Sequence, residues 1–184
     1  MMDEVYAVAR RIGAINTTHH MVLLEWTART PDAPVYDGGP PRELMRFEHP
    51  FANHNGGHLS FNPLATPGSP DYGLLYMGFA DGGNGGDPLN LGQNLGSAFG
   101  KILRFDPLGT NAVNGKYGIP STNPFVGAAG ALGEIYAIGV RNPQRFGKEG
   151  IPDATDQAAF RGAASGLWGI AHATLLVNLA SPDG

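Results

Sequence analysis

Short apolar or alternating runs separated by turn-forming residues recur along most of this chain, and that spacing predicts an all-β protein. From His20 to Thr27 the run His-Met-Val-Leu-Leu-Glu-Trp-Thr reads as a buried strand, and a long loop bracketed by Thr30-Pro31 and Pro40-Pro41 follows it. Glu43 to Glu48 and Gly57 to Asn62 alternate polar with apolar residues, as half-buried strands do. Gly73 to Ala80 is apolar and is expected inside, Gly100 to Asp106 alternates until Pro107 ends it, and Leu132 to Val140 is again apolar. Between the last two runs lies a connector, Tyr117 to Phe125, in which Pro120 and Pro124 forbid regular structure. No helix-length periodic segment interrupts the series, which favours a sandwich, barrel or propeller over a parallel α/β sheet.

The two ends read differently. Val5, Val8, Ile12 and Ile15 recur at helical spacing with Arg10-Arg11 on the polar side, a weak amphipathic helix in an N-terminal segment, 1–19, whose structure the pattern leaves open. After a β region spanning 20–146, the segment 147–184 diverges: Asp153 to Phe160 looks like a capped helical turn, and Leu167 to Ala180 is rich in Ala and Leu, with the strand alternation faded.

Composition narrows the chemistry. With 184 residues, 28 Gly, 15 Pro and 42% hydrophobic residues the chain is turn-rich yet supplied with core formers. A formal charge of −4 and only 15% charged residues give no basic surface for a phosphate backbone, which excludes nucleic acid. The absence of cysteine excludes disulfides, thiolate zinc sites and a cysteine nucleophile. No apolar run approaches the roughly 18 residues a membrane span needs, and Met1-Met2-Asp3-Glu4 lacks the basic-then-apolar layout of a signal peptide, so the Asn16-Thr17-Thr18 sequon carries little weight.

Candidate chemistry collects at strand-to-loop junctions. His54 sits in the glycine-bounded turn Asn53-His54-Asn55-Gly56-Gly57 before one strand, and Asp81 in the turn Asp81-Gly82-Gly83-Asn84-Gly85-Gly86-Asp87 after the next apolar run. Neighbouring loops of this kind bring a base to its orienting carboxylate. Arg141, Asn142 and Gln144 follow a third apolar run. Taken singly, each has a bland alternative: a polar loop histidine, an Arg141–Glu134 ion pair, a solvated turn at 81–87 rather than a calcium loop of Asp81, Asn84 and Asp87. Together they lie where binding residues concentrate on rigid scaffolds. Other motifs fail: Pro88 stands where the dinucleotide fingerprint needs its third glycine, Ile102 follows Lys101 where a P-loop needs Ser or Thr, and Gly56-Gly57 disfavours the helix that would pair His54 with His58 on zinc.

The runs Asn53 to Leu59, Leu75 to Gly83, Gly100 to Pro107, Ile119 to Phe125 and Gly139 to Gln144 make the chain resemble the soluble glucose/sorbosone dehydrogenases, pyrroloquinoline-quinone-dependent aldose sugar dehydrogenases built on a six-bladed β-propeller. The resemblance covers about residues 20–146. It implies antiparallel propeller blades with irregular or helical ends, and oxidation of a sugar's anomeric hydroxyl to a lactone by hydride transfer to the quinone. By it His54 is the general base, Asp81 orients that imidazole, Arg141 polarises the quinone, and Asn142 and Gln144 are further cofactor contacts. It also implies calcium, with ligands not in this chain, and a periplasmic or secreted location; the sugar and the electron acceptor stay open. Propeller blades take ~40–50 residues, so 184 residues are expected to form an incomplete propeller, a fragment of the family's fold. The rival expectation is a non-enzymatic β-propeller binding module or an inactive truncated fragment.

Overall fold

The structure, a computed structural model, describes residues 18–30, 32 and 34–143 and the backbone course of Thr174–Ala180. Its strands are β1 (His19–Glu25), β2 (Arg42–His49), β3 (Gly56–Phe61), β4 (Leu75–Phe79), β5 (Lys101–Phe105), β6 (Ile135–Ile138) and β7 (Thr174–Ala180). Two antiparallel sheets result, one in the order β2-β1-β7 and one in the order β3-β4-β5-β6. The second is an up-and-down meander of four strands, the sheet shape that propellers repeat as blades.

Each central run of the sequence forms a strand because its alternate residues have two apolar layers to fill. Leu75, Met77 and Phe79 of β4, Leu103 and Phe105 of β5 and Ile135 of β6 face one core, which Met21, Leu23 and Met45 of the other sheet complete. The opposite face carries Tyr76, Ile102 and Ala137 in a smaller cluster. All five residues of β5 are buried although its sequence alternates, because loops fold over its two cations. Lys101 Nζ donates to the carbonyls of Leu91, Gly92 and Phe99 at 3.0, 2.8 and 2.7 Å. Arg104 donates to Asn123 Oδ1, Asp71 Oδ1 and Thr122 Oγ1 and lies 4.6 Å over the Tyr136 ring. Asn123 in turn donates to the carbonyls of Arg104 and Gly133, so the proline-bearing connector, which bridges to Asp106 through Gly118, is pinned to β5 beyond that bridge by side chains.

The strand β7 departs from the expected loss of strand character near the C-terminus: Thr174 to Ala180 pairs antiparallel with β1 along its whole length. An apolar run of that length fits a strand or a buried helix equally by pattern, and pairing with β1 decides. The helix expected within residues 3–15 and the helical turn expected at 153–160 lie outside the described residues. Among the described residues no helix is long and apolar enough to cross a membrane.

The two sheets meet at His49, the last residue of β2, which is fully buried. Its ring stacks on His19 at 4.5 Å between centroids and meets Phe99 edge-on at 5.4 Å. Burial lowers its pKa to about 4, reinforced by the charge His19 would carry and opposed by the carbonyls of His54 and Phe51. The folded-state value lies below that of the unfolded chain, so the unfolded chain takes up the proton first. Stability from this residue is full above pH 6.5 and is lost as pH falls toward 4. Urea unfolding at pH 7 and pH 4.5 should therefore show an acid loss of which about 2–3 kcal/mol disappears in His49→Phe, which does not titrate. Lys101→Met removes the donor from three buried carbonyls, and a loss of roughly 2–4 kcal/mol is expected in the same assay at neutral pH.

A histidine–aspartate pair between two glycine turns

The pairing of β3 with β4 decides where the candidate residues meet. Gly56, the first residue of β3, lies opposite Phe79, the last of β4. Two residues outward along each strand stand His54 and Asp81, brought side by side by the register. His54 Nδ1 donates to Asp81 Oδ1 at 2.7 Å, and the two side chains are 10% and 6% exposed. An ionised carboxylate only accepts, so the Nδ1 proton is fixed and Nε2 is left as the basic nitrogen of a neutral ring. The same Asp81 oxygen accepts from the Gly83 amide at 3.0 Å, and the Asp81 amide donates to the Arg141 carbonyl at 2.9 Å.

Close approach of the two turns explains their glycines. A Cβ on Gly83 would lie 2.5 and 2.6 Å from the side-chain and backbone oxygens of Asn53, and one on Gly56 would lie 2.7 Å from the Ala80 nitrogen. Asn53 Oδ1 accepts from the Asn84 amide, tying the turns together. His54 itself has φ 58, a left-handed conformation that a non-glycine residue holds only where its surroundings enforce it. Beneath the turn, His49 Nδ1 lies 2.5 Å from the Phe51 carbonyl oxygen and Nε2 lies 3.2 Å from that of His54. His19 Nε2 is 2.9 Å from Asn55 Oδ1. Sequence patterning missed His49, His19, Asn53 and Asn55, since His49 and Asn53 meet backbone groups and His19 and Asn55 meet each other only once the turn has folded.

The third loop joins the same corner through its backbone. The Gly100 amide donates to the Ala80 carbonyl, and the Gly100 carbonyl accepts from Gly139 and Val140. Arg141 and Asn142 therefore follow directly beside Asp81, Arg141 exposed and Asn142 half-buried, while Gln144 lies outside the described residues. The ion-pair alternative for Arg141 does not form, because Glu134 Oε1 instead accepts from the Tyr117 hydroxyl at 2.7 Å. Asp81 is buried against His54 rather than solvated. Asp87 accepts from the amides of Leu91 and Gly92, and Asn84 from that of Gly85, so the three oxygen donors at 81–87 each serve a local turn. Among the described residues no group of three or more His, Asp or Glu is placed to hold a metal ion.

Comparison with known proteins shows which family the chain is similar to. The family model described as Glucose / Sorbosone dehydrogenase matches residues 44–151. The chain is 34% identical over 140 residues to the HIPL1 protein of Arabidopsis thaliana, covering 69% of this chain and 19% of that protein. It is 27% identical over 127 residues to the Hedgehog-interacting protein of Mus musculus, covering 69% of this chain and 17% of that protein. It is 35% identical over 92 residues to the aldose sugar dehydrogenase YliI of Escherichia coli, covering 50% of this chain and 19% of that protein. The chain thus spans about a fifth of the length of the curated relatives it matches. With a family match that runs over more than half of its length and takes in His54, Asp81 and Arg141, the chain belongs to the glucose/sorbosone dehydrogenase family.

Proposed function

We propose that the protein carrying this chain oxidises the anomeric hydroxyl of an aldose sugar to the lactone, with pyrroloquinoline quinone as the hydride acceptor. The observation that carries the reading is the 2.7 Å bond from His54 Nδ1 to Asp81 Oδ1. That bond leaves His54 Nε2 as the atom that takes the hydroxyl proton, while Asp81 steadies the imidazolium that forms. Arg141 and Asn142 supply donors for the oxygens of the quinone, and Gln144 is proposed as a further contact. When bound, the quinone provides the two-electron acceptor that no side chain of this chain can. Calcium, in this reading, is held by residues other than those described. The four-stranded meander is one blade of the propeller, and the protein works in the periplasm or outside the cell. The aldose substrate is supported by the 35% identity to YliI.

A second reading is a binding module without catalysis. It is supported by the broader coverage of the HIPL1 and Hedgehog-interacting proteins, 69% of this chain against 50% for the sugar dehydrogenase. A protein partner would then meet the same face of the turns, and the His54–Asp81 pair would serve only to hold them.

Reconstitution with pyrroloquinoline quinone and calcium, followed by aldose-dependent reduction of a dye, separates the two. The oxidation reading expects turnover that falls on the order of 10²–10⁴-fold in His54→Ala, and comparably in Asp81→Ala, which leaves the Nδ1 proton without its acceptor. Quinone-loaded, folded protein that reduces no dye with any aldose would sink this reading and leave the binding module.

A further inference from the structure

Across the described residues, the buried polar groups are mostly accounted for by the fold: Lys101 by three carbonyls, Arg104 by Asn123, Asp71 and Thr122. His49 is different in what it touches. Both of its ring nitrogens face carbonyls of the turn that carries His54, and neither contact is part of a strand ladder. The geometry points to His49 as a positioning residue for His54: its imidazole fills the cup of the 50–54 turn and fixes the left-handed backbone that aims Nδ1 at Asp81.

A neutral imidazole carries one N–H, and the 2.5 Å contact places it on Nδ1, donating to the Phe51 carbonyl. The Nε2 edge then lies against the His54 carbonyl at 3.2 Å and limits how that peptide turns. The ring itself has little room to move, held between His19 and Phe99 and buried completely. On the other side, Gly83 admits the Asn53 backbone and the Asn84 amide holds the Asn53 side chain. His54 is thus gripped from below by one ring and from the side by one turn. A left-handed φ of 58 at a residue with a side chain relaxes when such constraints are removed. The atom that moves with it is Nδ1, and with Nδ1 goes the direction of Nε2. This inference rests on the proposed role of His54 as base, but the placement of its ring is measurable without any reaction.

The test uses His49→Asn and His49→Leu in the full chain, two side chains of nearly equal size of which only Asn places an N–H where Nδ1 stood. The readout is the proton resonance of His54 Nδ1–H, assigned by its loss in His54→Gln, together with kcat and KM in the reconstituted assay. Both variants are expected to fold; His49→Asn keeps the resonance at its wild-type position, whereas His49→Leu loses it to exchange with water. In the assay His49→Leu lowers kcat at least tenfold with KM within twofold, since His49 is placed beneath the turn and not toward substrate, and His49→Asn recovers most of kcat. Where the smaller side chains unfold the turn, His49→Phe keeps the ring volume without the donor, and loss of the resonance is again expected. A wild-type resonance in folded His49→Leu or His49→Phe overturns the inference. If the wild-type protein instead shows no turnover while the resonance responds as described, positioning stands and the oxidation reading is what fails.

Discussion

The end of the β3–β4 ladder is the constraint on which the functional corner depends. Gly56 faces Phe79 there, and the chain beyond each partner turns away at once, one side into His54 and the other into Asp81. A shift of one residue in this register would send every side chain of β3 to the opposite face and separate the pair. The register from His58 to Phe61 is held because Leu75, Met77 and Phe79 must face the shared core with Leu103 and Phe105, and a bulge at Gly57 then sets Gly56 opposite Phe79, so the hydrophobic pattern and the bulge together place the imidazole on the carboxylate. Packing and chemistry are specified together.

Around that ladder the protein uses buried polar groups where regular structure is forbidden. The loop 80–100 has no helix or strand of its own, yet Lys101 satisfies three of the carbonyls along it and Asp87 satisfies two of its amides. Arg104 and Asn123 tie down the connector with its two prolines instead through its side chains, Arg104 donating to those of Asn123 and Thr122 and Asn123 to the carbonyls of Arg104 and Gly133. A buried ammonium or guanidinium is costly unless it is hydrogen-bonded, and each of these makes three hydrogen bonds. The outcome is rigid loops at one end of a sheet, the setting in which a base can be held to within the tolerance that proton transfer requires. His49 brings a single donor to the His54 turn, its Nδ1–H on the Phe51 carbonyl, in place of the three of an ammonium.

The relatives of this chain bear on how the corner is read, since one is named an aldose sugar dehydrogenase and another a Hedgehog-interacting protein. The imidazole of His54 and the carboxylate of Asp81 form a complete local unit. Gripping a cofactor, by contrast, needs groups from several directions, and of the three residues assigned to that task only Arg141 and Asn142 are described, Arg141 with its side chain at the surface. The two functional readings differ in what surrounds the pair rather than in the pair itself.

The sequence by itself determined six of the strands, because alternation and apolar runs bounded by Gly and Pro leave few ways to bury Leu75, Met77, Phe79, Leu103 and Phe105. It also pointed to His54 and Asp81, since glycine turns at both ends of adjacent strands are visible without coordinates. Only the tertiary structure decided that β7 is a strand, because an apolar stretch takes its form from the edge it pairs with, here β1. It alone showed Lys101 and Arg104 buried, for the carbonyls and side chains that accept their hydrogen bonds lie up to thirty-three residues away. His49 was illegible for the same reason: its partners are backbone oxygens, which every sequence possesses and only a fold can aim.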